Sequence, residues 1–214
     1  MRKIDIQTWE RREHFNHFRS FDHPHFNMCA NMDLTKFYPA VKAHGFSFTA
    51  ALVYILTRTA NAIPEFRLRF NGEEVFEYEV VHPSVTILVD EDRFSFCFIE
   101  FTENFKQFAA NAEEMIARVK ENLTLEDPPD RDKFLFMTSI PWVSFTSFMH
   151  PIHLDPADSI PRFAWGKTFK EGDSLKMPLS VQAHHALMDG VHMGRYYIKV
   201  QEGFDQFDKV LGER

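Results

Sequence analysis

Residues 183–197 read AHHALMDGVHMGRYY and hold the densest group of side chains able to move a proton or bind a cation. His184 and His185 are adjacent, Asp189 follows four residues after the second, and Gly190 and His192 come next. An uncharged imidazole is well suited to take a proton near neutral pH, because its ordinary pKa lies close by. In the stretch KMPLSVQAHH (176–185) the apolar residues alternate at Met177, Leu179, Val181 and Ala183. A strand sends i and i+2 to one face. On that period His185 continues the apolar face, and His184 joins Lys176, Ser180 and Gln182 on the other. The pattern predicts His185 in dry surroundings, where lost hydration keeps the ring neutral, and His184 in polar ones.

His185 is then either a general base or a core histidine with its hydrogen bonds met. A metal held by His184, His185, Asp189 or His192 is a third possibility, against which neighbouring strand residues diverge. Asp189 before Gly190 reads as a helix N-cap or an ion-pair partner rather than a carboxylate acting on substrate. The other histidines, at 14, 17, 23, 25, 44, 82, 150 and 153, show no ligand spacing. Cys29 and Cys97 are two lone thiols that read as small buried hydrophobes.

The elements around this cluster follow from periodicity. Thr8 can cap a helix through Glu10, Phe15 and Phe18. Residues 26–32 alternate as a strand, and Asp33 starts a helix carrying Leu34, Phe37 and Val41. Phe48, Leu52, Ile55, Leu56 and Ile63 mark an amphipathic helix that Pro64 helps to stop. Residues 66–70 and 75–80 flank Asn71-Gly72 as a hairpin. Strands are expected at 85–89 and 94–98, and a helix carries Phe105 to Val119. A polar loop covers 125–133, and strands follow at 134–138, 143–148, 163–169 and 175–185. The last helix carries Met193, Tyr197, Val200, Phe204 and Phe207, before a frayed or surface-bound tail, DKVLGER. No repeat or linker divides this order, which predicts one domain over 1–214. Its fold class is α/β: a two-layer sandwich of helices packed on a mixed, largely antiparallel sheet.

Composition narrows the partners. The net charge of −7, with no basic stripe, argues against nucleic acid or an anionic membrane surface. No signal peptide and no apolar run of membrane-spanning length is present, which predicts a cytoplasmic protein. Phenylalanine occurs 24 times, enough to fill a core and to line an apolar pocket or subunit interface as well.

The stretch HHALMDGVHMGR resembles the HHxxxDGxHxxR motif of the chloramphenicol acetyltransferases. Four further segments are similar in the same order: WERREHF (9–15), NAIPEFRLR (61–69), PWVSFTSF (141–148) and EGDSLKMPLSVQAHH (171–185). The resemblance spans residues 4 to about 205. It implies a homotrimer with active sites between subunits, acetyl-CoA as co-substrate with no tightly bound cofactor, and a small-molecule acceptor. It also implies direct transfer, with His185 deprotonating the acceptor hydroxyl and the alkoxide attacking the thioester. By match, Asp189 pairs with Arg11 and supports the histidine, and Thr138 donates to the oxyanion. Trp142 and Lys167 line the coenzyme channel, and Phe18, Phe94, Leu125 and Phe148 shape the acceptor slot. Four positions depart from the family pattern: Thr138 where it has a serine, Ala164 and Thr49 where it has a threonine and a tyrosine, and His150 where it has a pocket leucine. Lost or gained polar contacts of that kind change acceptor preference.

Overall fold

A computed structural model describes residues 1–123, 125–126, 130–154 and 157–212. The chain opens with β1 (Arg2–Ile4), α1 (Arg12–Phe18) and β2 (His25–Asp33). Next come α2 (Phe37–Ala43) and α3 (Phe48–Asn61), the latter started by Ser47, whose hydroxyl accepts the Ala50 N–H. β3 (Leu68–Asn71) turns into β4 (Glu74–Glu77) through Gly72, whose φ of 58° suits a residue without a Cβ. β5 (His82–Leu88) and β6 (Phe94–Phe98) form a second hairpin, and Asn104 caps α4 (Phe105–Glu121). β7 (Phe134–Ile140), β8 (Arg162–Gly166), β9 (Phe169–Glu171) and β10 (Ser174–His184) follow, then α5 (Gly190–Asp205) and α6 (Phe207–Gly212).

The main sheet runs β2-β10-β8-β7-β5-β6, with β9 also on β10. The β5–β7 and β7–β8 pairs are parallel, and the others are antiparallel. Its register sets the site: Thr138 lies opposite Ala164, which lies opposite Ser180. Alternate residues of the central strands, such as Val85, Met137, Phe163, Leu179 and Val181, meet Tyr54, Phe108, Tyr196 and Phe204 of the helical layer in one apolar core. Each such side chain contributes about 1.5–3 kcal/mol by leaving water.

A second sheet, β1-β4-β3, stands apart. Under it lies a satellite core of Phe15, Leu68, Val75, Ala186 and Leu187, against which Trp9, Phe18 and Phe70 pack. It joins the amino end of the chain to the turn that follows β10.

Several boundaries differ from the sequence expectation. β1 has too few residues to show a period. α1 starts at Arg12, because the Thr8 hydroxyl is engaged with Asp5 (3.1 Å). Asp33 closes β2 and accepts the Thr35 N–H (2.8 Å), so α2 begins at Phe37. Of the expected tail, residues 208–212 are not frayed but belong to α6, which buries Val210 and leaves Asp208 and Lys209 exposed, while positions 213–214 lie outside the described residues. Residues 143–148 are not a strand. Their carbonyls bond elsewhere, Val143 accepting the Lys167 N–H (2.9 Å) and Phe148 accepting from Asn27 and Ser180. This segment crosses Gly166 so closely that a Cβ there would stand 2.9 Å from the Val143 oxygen. Of the expected loop at 125–133, positions 127–129 lie outside the described residues, and Arg131–Lys133 form a short 3-10 turn.

Candidate functional site

The histidine pair corrects the face argument. β10 ends at His184, and His184 is the dry member at 2% exposure. Its ring packs edge-on against Phe70 (4.7 Å) and His25 (4.8 Å). Its Nδ1 accepts the Ala186 N–H at 3.2 Å, so Nε2 carries the ring proton. Burial, helped by the neighbouring His25 and His185, pushes its pKa down to about 3. The alternation misled because β10 has two buried faces. Phe148 and His150 cover the side away from the main core: Ser180 donates to the Phe148 carbonyl (2.8 Å), and the His150 N–H donates to Gln182 Oε1 (2.7 Å).

His185 lies past the strand end, half-buried, on the turn into α5. Its N–H donates to the Pro24 carbonyl at 2.8 Å. Its ring stacks on Phe18, with centroids 3.8 Å apart and planes 10° from parallel, and touches Phe26 at 4.7 Å. Nδ1 is buried with no hydrogen-bond partner among the described residues, so the ring's exposed part lies away from Nδ1.

The turn is held from below. Asp189 takes the N-cap position of α5, with extended backbone. Arg11 Nη1 donates to Asp189 Oδ2 at 2.8 Å, and the two side chains keep only 14% and 24% of their exposure. Burial works to raise the Asp189 pKa, but the hydrogen bond and charge of Arg11 outweigh it, and the carboxyl titrates below its ordinary range. The Asp189 N–H donates to His192 Nδ1 (3.1 Å), which leaves the Nε2 proton facing Glu65 at 3.3 Å. Burial lowers the His192 pKa despite the two carboxylates near it. Glu65 completes this chain of contacts and is the member that period and spacing did not single out, although it lies inside a family-like segment. Among the described residues, no three His, Cys, Asp or Glu side chains converge as a metal-ligand set. Cys97 is buried and Cys29 half-buried, and burial raises both thiols, Cys97 to about 11.

Thr138 lies elsewhere. It lines a cavity of about 330 Å³ together with Thr86, Phe96, Leu125, Phe136 and His150. The hydroxyls of Thr138 and Thr86 are 2.6 Å apart. If Thr86 donates, the Thr138 proton is left to point into the cavity. Leu125 stands on the rim at 54% exposure. Phe94 lies one pleat outside the cavity at 43% exposure, and Phe96, 5.8 Å away, is the ring that lines it. Phe148 backs the wall by packing edge-on against His150 (4.9 Å). Trp142 is 63% exposed and Lys167 is exposed, and the Lys167–Val143 bond puts the two on adjoining segments. Phe18 belongs to the His185 turn, not to this cavity.

From Thr138 to His185 the register crosses two strands and advances five residues past Ser180. Strand spacing and rise make that roughly 15–20 Å between the two backbone positions. One chain therefore keeps its imidazole and its cavity hydroxyl apart.

No helix among the described residues is long and apolar enough to cross a membrane. The sequence matches the chloramphenicol acetyltransferase family over residues 1–201. It is 34% identical over 207 residues to a chloramphenicol acetyltransferase of Klebsiella sp, covering 95% of this chain and 94% of that one. A chloramphenicol acetyltransferase of Clostridium perfringens is 33% identical over 214 residues, covering 99% and 98%. A solved chloramphenicol acetyltransferase structure superimposes with a TM-score of 0.85 at 27% identity, covering 96% of this chain and all of that one.

Proposed function

The chain belongs to the chloramphenicol acetyltransferase family and is an acyltransferase, and from that premise we propose a CoA-dependent O-acetyltransferase that moves the acetyl group of acetyl-CoA to a hydroxyl of chloramphenicol or a similar small hydrophobic acceptor. His185 takes the proton of the acceptor hydroxyl. The resulting alkoxide oxygen bonds to the thioester carbonyl carbon, and the carbonyl oxygen becomes an oxyanion. The Thr138 hydroxyl donates to that oxyanion, a contact made in full only as charge develops. Collapse breaks the carbon–sulfur bond, and the imidazolium returns the proton to the leaving thiolate. Arg11 and Asp189 keep the turn that carries His185 in place. Trp142 and Lys167 border the coenzyme path, while Phe18, Phe94, Leu125 and Phe148 supply apolar contact to the acceptor.

Proton transfer needs heavy atoms about 2.6–3.2 Å apart. The separation of His185 from Thr138 within one chain therefore supports a site shared between copies, the ring of one facing the cavity of the next. Such a contact joins two different surfaces and must close into a ring to be finite, which suits a homotrimer. The reaction draws on acetyl-CoA, and we place it in the cytoplasm.

The observation that carries this reading is the His185 ring clamped by Phe18 on a turn pinned by Arg11 and Asp189. With acetyl-CoA and chloramphenicol the purified protein releases free thiol, and His185→Ala lowers that rate by ~10²–10⁴-fold while the protein stays folded by circular dichroism. A variant releasing thiol at the parent rate removes the base. Light scattering that finds a fully active monomer removes the shared site.

A further inference from the structure

His150 is half-buried, and its two ring nitrogens sit where the described residues give them nothing to bind. Its N–H is used on Gln182 Oε1 (2.7 Å), and its ring is steadied by Phe148 (4.9 Å). Both ring nitrogens are buried, and neither has a hydrogen-bond partner among the described residues. Yet His150 lines the cavity that holds Thr138. Buried polar atoms in folded proteins are nearly always partnered. His184 Nε2, His25 Nδ1 and Gln182 Nε2 are also buried without a partner among the described residues, but these three residues do not line the cavity. Burial first, and the charge of Arg162 second, push the His150 pKa down to about 4. At neutral pH the ring is therefore uncharged, with one N–H donor and one lone pair. The positive charge of Arg162 favours an electron-rich partner on that N–H.

We propose that His150 is a specificity-determining residue, which donates a hydrogen bond to a carbonyl-type oxygen of the acceptor distinct from the hydroxyl that is acetylated. The enzyme then selects hydroxylated acceptors with such an oxygen over hydrocarbons of the same shape. A site built to hydrogen-bond a substrate discriminates strongly against the analogue that leaves its polar group unmet. This inference rests on the reading that the Thr138 cavity holds the acceptor.

The test uses matched alcohols, para-(hydroxyethyl)benzamide and para-(hydroxyethyl)cumene, together with their meta isomers. Each pair differs by a carboxamide against an isopropyl group of similar size. The parent enzyme is expected to favour the amide in one of the two series by about tenfold or more in kcat/KM. His150→Leu removes the polar contact at similar volume and inverts the preference, and His150→Gln, which keeps a donor, retains much of it. A parent enzyme that favours the hydrocarbon in both series, or shows no preference, overturns the inference without any variant. So does a His150→Leu enzyme with the parent's ratio. Should neither these alcohols nor chloramphenicol be acetylated, calorimetry of the same pairs separates the two ideas. An amide preference in binding that His150→Leu inverts supports His150 and rejects the catalytic reading, whereas equal affinities reject His150.

Discussion

The turn after β10 and the wall formed by β5, β7 and β8 sit on one sheet and are built in opposite ways. At the turn, Arg11, Asp189, His192 and Glu65 each bond to the next, and the satellite core of Phe15, Ala186 and Leu187 packs beneath. At the cavity wall, Thr86 and Thr138 share a single hydrogen bond, and the His150 ring has none among the described residues. A group that must take a proton is fixed in advance, because misplacement by an ångström is costly. A surface that selects a small molecule leaves some of its hydrogen bonds for the ligand to complete. In this protein a chain of side-chain contacts braces the turn that carries the reactive histidine, whereas the wall that selects leaves the His150 ring unbraced by any hydrogen bond among the described residues.

Four perturbations sharpen or break that contrast. The largest effect within it belongs to Thr138→Ala, expected to lower kcat by ~10²-fold or more with KM little changed, while Thr138→Ser retains most activity. Steady-state kinetics with chloramphenicol read this, and an unchanged kcat would show that the hydroxyl takes no part. Next come Arg11→Ala and Asp189→Ala. Both side chains keep some exposure, so each loss should stay at or below ~3 kcal/mol, the lower end for fully buried pairs. The double variant should be no worse than either single one in kcat or Tm, and additive losses would dissolve the pair. Thr86→Val keeps the shape but removes the donor that orients Thr138. About a tenfold fall in kcat is expected, the worth of one ordinary hydrogen bond, and a change confined to KM would assign Thr86 to binding alone.

The last perturbation is pH, read in stability rather than in rate. His184 and His150 are held at about 3 and about 4 in the folded chain, against ~6.5 when unfolded. As pH falls from 6.5 toward 4, the unfolded chain gains protons on these rings that the folded chain refuses. Their contribution is therefore complete above pH 6.5 and lost as pH drops through the folded values. Tm should decline across that window, before most carboxylates titrate, and His184→Asn should flatten the decline. A Tm that is level from pH 6.5 to 4 would deny that these rings are dry.

Much of the frame was legible in periodicity. The Asn71-Gly72 hairpin, the Phe94–Phe98 strand and the Phe105 helix stand where their patterns place them. The histidine faces were not legible, because apolar–polar alternation in β10 signals one wet face only when nothing covers it. Here Phe148 and His150 do, and the polar residues are buried with Ser180 and Gln182 bonded to that cover. PWVSFTSF alternates like a strand, but its carbonyls are satisfied by Asn27, Ser180 and Lys167 instead of a ladder. Pairing Arg11 with Asp189 required a contact across 178 positions, which came from the family resemblance and not from local pattern.

β1 and Arg11 both belong to the first dozen residues, which strap to β4 through Arg2–Glu77 and Ile4–Val75 rather than to the main core. The amino end thus works as a splint for a turn nearly the whole chain away. A protease nick or a bulky amino-terminal fusion that pried it loose would leave the large sheet intact and the enzyme silent. Such a preparation would look healthy by circular dichroism and size, so an unmodified amino terminus is the safer starting material for any assay.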